Sequence, residues 1–280
     1  LFYKNYNSKD SFTFIAGTKG QVWSLFEYKG TLFCGHDTGT YVINEGSAVC
    51  IFFQSGTWKF ETVPQHETVL LQGNYYGISV LEKVNNQWVF RNKIKGFNYS
   101  SRYFEVTNSM EIYVSHEYKG VFRFQMDNRL LKASPFVAYS YPKKGRYSGL
   151  TKFNNEIYYA YKEGIFKLNP STKQFIKDNQ LSSVFEKDEY TSGKLIADNS
   201  NKFWLFSKNY IHYFSLSKLS NQLKKNVIPI PSSLTNSMQG FENITQMSNS
   251  EYLIGTTDGF YSINFNDMSF KSYLVTITNV

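Results

Sequence analysis

Residues 156–169 read EIYYAYKEGIFKLN, two short apolar stretches joined by a polar turn that contains a glycine. Aromatic and β-branched residues favour strands over helices. A glycine at the end of a short turn adopts the positive φ that closes a β-hairpin at no steric cost. The stretch therefore predicts a β-hairpin with Gly164 in its turn.

The same pattern occurs six times along the chain, and this repetition decides the fold. Consecutive turn residues are 38 to 50 residues apart, a period that matches the four-stranded blade of a β-propeller. In the fifth copy asparagine replaces glycine, and asparagine is the other residue that best tolerates positive φ. The hairpins are Thr31–Asn44, Thr68–Glu82, Glu111–Gln125, Glu156–Asn169, Lys202–Ser215 and Glu251–Asn264, with turn residues Gly39, Gly77, Gly120, Gly164, Asn209 and Gly259.

Two further strand-like stretches flank most hairpins, such as Val22–Phe26 before the first, and Ser47–Phe52 and Phe270–Leu274 after the first and the last. Helical spacing is limited to Leu216–Lys225, and Pro229 follows too closely for a long helix. We expect an all-β protein, a β-propeller of four-stranded antiparallel blades, because radial repetition keeps the turn in one place and leaves only short edges. A stack of hairpins or a large β-sandwich is the alternative.

Six complete repeats predict a ring of six or seven blades over residues 17–274. Residues 1–16 read as the last strand of a preceding blade or as a closing strand. The first residue is Leu and no signal-peptide pattern follows, which predicts an excised or processed piece.

Composition and charge limit the function classes. Lys and Arg exceed Asp and Glu by 30 to 22, but the basic residues are spread along the chain, so we expect no nucleic-acid contact. No apolar run approaches the roughly 18 residues that span a bilayer, so we expect no membrane insertion. Cys34 and Cys50 would lie on strands separated by a third strand, too far apart for a disulfide, which predicts free thiols.

Two hairpins carry a family resemblance: residues 32–43, LFCGHDTGTYVI, and residues 252–263, YLIGTTDGFYSI, together with residues 20–25, GQVWSL. They resemble the two-component-regulator propeller repeat, found in extracytoplasmic sensor regions of hybrid two-component systems and of propeller-containing LuxR-type regulators of Bacteroidetes. The resemblance covers most of the chain. It implies a ligand-sensing or interaction propeller of a bacterial signal-transduction or transcription regulator, in the periplasm or another extracytoplasmic location, with a cytoplasmic location left open.

In that family a small β-sandwich, the three-tyrosine domain, follows the propeller and leads to a membrane helix or coiled coil and an output domain. Residues 275–280 resemble the first strand of such a sandwich. The resemblance therefore implies a three-tyrosine-type domain as the partner that follows in the full-length protein.

The sequence carries no nucleophile elbow, Walker loop or dinucleotide fingerprint, so we assign no catalytic residue and no cofactor. His36 and His116 occupy the same place in two repeats, each followed by an acid, Asp37 or Glu117. A shared metal site is one interpretation, but the two blades are not adjacent and turns favour polar residues anyway, so we predict no metal. A propeller glycoside hydrolase or polysaccharide lyase and a protein-interaction scaffold remain the alternatives to a sensor.

The turns inside the hairpins and the connections into each first strand fall on one face of a propeller. Tyr, Arg, Lys and His side chains on this face suit an oligosaccharide or an acidic saccharide, by stacking on sugar C–H surfaces and by charged hydrogen bonds. The loop at residues 142–147 is the strongest single candidate. The predicted ligand-binding residues are His36, Asp37, His116, Lys143, Lys144, Arg146 and Tyr147.

Overall fold

The computed structural model describes residues 1–5, 8–217, 223–230 and 239–267. Its strands form six antiparallel sheets that follow one another along the chain as the blades of a β-propeller, which confirms the predicted fold. Blades 1 to 5 have four strands each, and three strands of blade 6 lie within the described residues. The predicted strand Phe270–Leu274 and residues 275–280 lie outside them.

The first strand of each blade lies innermost, and successive strands run outward. Two short strands, β1 (Phe2–Tyr3) and β2 (Thr13–Phe14), precede blade 1 and form a sheet of their own. Blades 1 to 3 consist of β3 (Val22–Tyr28), β4 (Thr31–His36), β5 (Thr40–Asn44) and β6 (Ser47–Phe52); β7 (Lys59–Val63), β8 (His66–Asn74), β9 (Gly77–Val84) and β10 (Gln87–Lys93); and β11 (Tyr103–Val106), β12 (Glu111–His116), β13 (Gly120–Gln125) and β14 (Val137–Ala138).

The other three blades repeat this arrangement, with one short helical insertion before blade 5. That insertion is an α-helix, α1 (Asn179–Ser182), continued by a 3₁₀-helix (Ser183–Asp188). Blades 4 to 6 consist of β15 (Gly149–Phe153), β16 (Glu156–Tyr161), β17 (Gly164–Leu168) and β18 (Phe175–Asp178); β19 (Tyr190–Ala197), β20 (Lys202–Ser207), β21 (Tyr210–Leu216) and β22 (Leu223–Pro229); and β23 (Ile244–Gln246), β24 (Glu251–Gly255) and β25 (Phe260–Asn264).

All six predicted hairpins are present. Residues 218–222 of the stretch with helical spacing lie outside the described residues. Its last residues, Leu223–Lys225, begin β22, which pairs with β21 over its whole length, because an open edge of blade 5 satisfies its backbone groups. Cys34 and Cys50 are free thiols on β4 and β6, separated by β5, as expected. Among the described helices none is long and apolar enough to cross a bilayer.

The predicted turn chemistry is correct at four hairpins and wrong at two. Gly77, Gly120, Gly164 and Gly259 have positive φ, whereas Gly39 and Asn209 do not. A Cβ on Gly39 would lie 2.5 Å from the carbonyl oxygen of Phe52, so the close approach of β6 requires glycine there.

Asn209 is explained by a hydrogen bond instead of a backbone conformation. Its side-chain amide donates to Glu189 Oε1 at 2.7 Å, and its backbone N–H donates to Oε2 of the same carboxylate at 3.3 Å. The fifth hairpin turn is therefore tied to the start of its own blade by a side chain that glycine lacks.

The core lies between neighbouring blades, where the faces of adjacent sheets pack together. Between blades 1 and 2 the fully buried Phe33, Leu70 and Leu81 pack with Trp88. Burying one such side chain contributes about 1.5–3 kcal/mol, so these layers hold the ring together. The innermost strands line a central channel. Aromatic and charged side chains at one of its mouths form the candidate site.

Candidate functional site

One mouth of the channel carries a compact group of aromatic and charged side chains. They come from the starts of the innermost strands of blades 1, 2, 3 and 5 and from the segment that leads into blade 6. All are at least partly buried. We call these residues the channel-mouth cluster: Trp23, Trp58, Arg102, Tyr103, Lys194, Phe241 and Glu242.

Arg102 connects opposite parts of the ring at this mouth. Its guanidinium carbon lies 4.0 Å from the ring centre of Phe241 and 5.2 Å from that of Trp58. Nη2 donates a hydrogen bond to the carbonyl oxygen of Gly240, and Nη1 lies 3.9 Å from Glu117 Oε1. The guanidinium is thus held by aromatic faces and one carbonyl, with a carboxylate only at the edge of ion-pair distance.

Two indole rings lie side by side next to Arg102. The ring centres of Trp23 and Trp58 are 4.3 Å apart, and Trp23 stacks on Phe241 at 5.9 Å. The Nε1–H groups of both tryptophans are buried without a hydrogen-bond partner among the described residues. An unpaired buried donor carries a desolvation penalty of about 1–3 kcal/mol, which an acceptor on a ligand would relieve.

Lys194 places a second positive charge beside Arg102. Its ammonium lies 5.5 Å from the ring centre of Tyr103, and the residue as a whole is half-buried. Within the described ranges no ion pair includes Lys194. Burial, with the nearby charges of Arg102 and Lys59, lowers the pKa of Lys194 to about 8. The nearby carboxylate of Glu242 opposes this shift, and the ammonium is still mostly protonated near neutral pH.

The acidic groups near the mouth already have partners. Glu242 is 3% exposed and accepts hydrogen bonds from Ser192 Oγ at 2.7 Å and from the backbone N–H of Gly240 at 3.0 Å. Deeper in the channel, Lys59 Nζ lies 2.7 Å from Glu105 and 2.8 Å from Glu61. These contacts fix the geometry of the mouth, in which Arg102 and Lys194 are the cations and Glu117 lies within ion-pair distance of Arg102.

A cavity of about 230 Å³ opens beside Glu242 between blades 5 and 6. Its lining is mainly apolar and includes Phe206, Ile211 and Ile254. Ligand pockets usually measure about 300–1,000 Å³, so this cavity suits at most a small group at the end of a larger ligand.

Four of the predicted ligand-binding residues lie in one loop, and this loop borders the channel-mouth cluster. Tyr190 Oη donates to the carbonyl oxygens of Arg146 at 3.1 Å and Tyr147 at 3.3 Å, which fixes the loop backbone. The Arg146 guanidinium lies 4.7 Å from the Tyr147 ring centre. A Cβ on Gly240 would lie 2.9 Å from Tyr147 Cδ1, so Tyr147 touches the segment that carries Phe241 and Glu242.

Lys143 and Lys144 lie earlier in the same loop. The carbonyl oxygen of Lys143 accepts a hydrogen bond from Tyr159 Oη at 2.9 Å, and Lys144 lies over Gly120 in the third hairpin turn. Their backbone is therefore anchored on blades 3 and 4.

The side-chain hydrogen bonds of His36 and His116 lie within their own turns, and neighbouring loops pack against both imidazoles. His36 is 1% exposed; its Nδ1 accepts from the backbone N–H of Thr38 at 3.2 Å and lies 2.5 Å from Asp37 Oδ1. A Cβ on Gly20 would lie 2.7 Å from His36 Cε1, so this loop covers the imidazole. His116 Nδ1 accepts from the N–H of Tyr118 at 3.2 Å, and burial lowers the pKa of His116. Ligand contact by His36, Asp37 and His116 stays a prediction.

The cluster itself was missed in the sequence apart from Arg102, which lies on the predicted ligand face. A usable signal was present: Trp23 and Trp58 both stand at the inner start of a first strand, shortly after a glycine, Gly20 or Gly56.

No family model matches the sequence, and no curated protein matches it. Solved structures do. The extracellular domain of the hybrid two-component system BT3049 from B. thetaiotaomicron is 16% identical over 94% of this chain and 36% of its own, with a TM-score of 0.64. The extracellular domain of BT4673 from the same organism is 16% identical over 93% of this chain and 38% of its own, with a TM-score of 0.61.

The fold is that of these extracellular domains. It agrees with the family that the hairpins resemble, although identities this low show the fold alone. The chain spans about a third of the length of both structures. Virginiamycin B lyase from Staphylococcus aureus is 10% identical over 92% of this chain and 88% of its own, with a TM-score of 0.55.

Proposed function

We propose that this chain is the ligand-sensing propeller of an extracytoplasmic bacterial signal-transduction or transcription regulator, and that its channel mouth binds an acidic saccharide. Two cations carry this role: Arg102 and Lys194 lie among aromatic faces, Arg102 with Glu117 Oε1 at 3.9 Å and Lys194 without an ion pair among the described residues. The full-length protein would pass the binding signal to a following three-tyrosine-type domain.

The chemistry of the mouth matches that of a uronic acid. A guanidinium donates two parallel hydrogen bonds to a carboxylate, and such charge-assisted bonds are about twice as strong as neutral ones. Trp23 and Trp58 are half-buried, so a sugar ring can stack on the exposed part of either indole. Arg146 and Tyr147 would form one wall of the site, with Lys143 and Lys144 at its outer rim.

A binding role is favoured over a glycoside hydrolase or lyase by the state of the carboxylates. Glycoside hydrolysis needs two carboxyl groups about 5–9.5 Å apart that are free to donate a proton and to attack or activate water. Here Glu242 is held by Ser192 and Gly240, and Glu105 by Lys59. These contacts suit fixed structural groups better than a general acid and base.

Isothermal titration calorimetry with oligogalacturonates and with neutral galactans of equal length tests the proposal. We expect the acidic oligomers to bind, the neutral ones not to bind, and Arg102→Met to weaken binding at least tenfold. Arg91→Met is the matched control, because Arg91, on the outer strand of blade 2, contacts Glu82 of the same blade and the Arg129 carbonyl oxygen of blade 3. Equal affinity of Arg102→Met and wild type, with both proteins folded, would contradict the channel-mouth site.

A further inference from the structure

The sheet of β1 and β2 leads into blade 1 through a short link with a specific set of contacts. The N–H of Ile15 donates to the carbonyl oxygen of Leu1 at 3.0 Å. The N–H of Ala48 donates to the carbonyl oxygen of Ala16 at 3.0 Å. Gly17 has a φ of 90°, and a Cβ on it would lie 3.1 Å from the carbonyl oxygen of Ala48.

The link between blades 2 and 3 repeats these contacts one by one. The N–H of Ile94 donates to the carbonyl oxygen of Ile78 at 2.9 Å. The N–H of Ala133 donates to the carbonyl oxygen of Lys95 at 2.8 Å. Gly96 has a φ of 95°, and a Cβ on it would lie 3.1 Å from the carbonyl oxygen of Ala133. Both glycines permit the same close crossing onto the outer strand of the next blade.

The strand registers in front of the two links also agree. In blade 2 the link follows β10, the fourth strand, and its Ile94 bonds to β9, the third strand. By this correspondence β1 is a third strand and β2 a fourth strand. The pair Phe2–Phe14 corresponds to the pair Ser79–Lys93 of blade 2. The pair Tyr3–Thr13 corresponds to Val80–Asn92.

This half-blade occupies the ring position between blades 6 and 1. The Phe12 ring packs edge-on against Phe260 of β25 at 6.3 Å, and Ala16 forms a parallel bridge with Ser47 of β6. Within the part of the chain that the structure describes, β1 pairs with β2 alone, and Phe2 is 59% exposed. An unpaired strand edge flanked by exposed aromatic side chains is a template for another strand.

We propose that a β-hairpin of the same polypeptide, from outside these 280 residues, docks on the free edge of β1 and completes a seventh blade as its first and second strands. In every described blade the first and second strands already belong to a complete hairpin within their own sheet. A second copy of this chain therefore has no free first and second strands to dock on β1. Leu1 corresponds to Ile78, which directly follows the hairpin turn in blade 2, so a short covalent turn can join the two strands.

Hydrogen exchange tests the docking. The backbone amides of β1 would be measured in the 280-residue chain, in the longer natural polypeptide that contains it, and in a fusion that places a copy of residues 57–77 directly before Leu1. That copy spans β7, β8 and the following turn, the segment that pairs with β9 in blade 2.

We expect exchange of the β1 amides to slow at least tenfold in the two longer proteins, and the fusion to unfold at a higher temperature. A fusion whose added copy carries Leu71→Pro is the matched control, because proline removes a strand donor, and it should show no protection. Equal exchange in all the proteins would overturn the proposal. Light scattering that shows the 280-residue chain as a dimer with protected β1 amides would overturn the intramolecular source and assign the edge to a second copy.

Discussion

Glu105 and His212 are buried side chains whose pKa values shift in opposite directions. Burial raises the pKa of Glu105 to about 7, although the Lys59 ammonium opposes this shift. Burial, together with the charge of Lys225, lowers the pKa of His212 to about 4. Between about pH 4.5 and 7 the folded chain keeps a proton on Glu105 that the unfolded chain releases, so this stabilisation is lost as pH rises. His212 acts inversely: its stabilisation is lost as pH falls from about 6.5 to 4.

Because the two effects oppose each other between pH 4.5 and 6.5, we expect them to show clearly only in variants. In Glu105→Gln, stability should rise with pH more steeply than in wild type; in His212→Gln it should rise less or fall. Each difference should amount to about 1–3 kcal/mol across the window. Urea unfolding at pH 5, 6 and 7 measures it, with Glu82→Gln as the control, because Glu82 contacts Arg91 in the outer strands of blade 2. Parallel pH profiles in all variants would contradict the assignment.

Asn209 is the residue at which the repeat pattern and the structure disagree, and it gives a second prediction. If the asparagine were there only because it tolerates a positive φ, Asn209→Gly would leave the stability unchanged or raise it. Because its amide bonds to Glu189, we expect Asn209→Gly to destabilise the fold by about 0.5–1.5 kcal/mol. Asn85→Gly is the matched control, since Asn85 has a φ of 49° and glycine fits there. Thermal unfolding of both variants distinguishes the two roles; an equal melting temperature would support the backbone role.

At the scale of strands, blades 4 and 5 approach each other so closely that glycine is required. A Cβ on Gly149 of β15 would lie 2.0 Å from the carbonyl oxygen of Gly193 in β19. We expect Gly149→Ala to destabilise the fold by about 1–3 kcal/mol or more, since the innermost strands must separate. Gly255→Ala in β24 is the control, because nothing lies within 4 Å of its added Cβ. A urea unfolding midpoint for Gly149→Ala equal to that of Gly255→Ala would refute the tight packing.

Strands and hairpins also show which features the sequence predicts and which it does not. Hairpins are local and their turns recur along the chain. The first, third and last hairpins were therefore predicted with the outer bounds of β4–β5, β12–β13 and β24–β25. Gly39 was assigned to the wrong cause because its constraint, the carbonyl of Phe52, comes from another strand. The channel-mouth cluster needs ring closure: Arg102 bonds to Gly240, 138 residues away, and no periodicity in a single sequence reports that contact.

At the scale of the whole molecule, the net charge of +8 raises the question of whether an acidic ligand would bind to the surface in general instead of at the mouth. Salt separates the two cases. The Debye length is about 8 Å at 0.15 M salt, so scattered surface charges act weakly, whereas contacts at the partly buried Arg102 and Lys194 are screened much less. General attraction would therefore vanish between 0.05 and about 0.3 M salt, and site binding would only weaken.

We expect oligogalacturonate binding to persist at about 0.3 M salt in wild type and in Arg91→Met. In Lys194→Met the affinity should fall at every salt concentration, and its dependence on salt should be shallower, because one of the two cations that meet the ligand is gone. Calorimetric titrations over a salt series measure both quantities. If binding disappeared equally in all proteins at the higher salt concentration, the ligand would be held by the basic surface as a whole. That result would refute the channel mouth as the binding site.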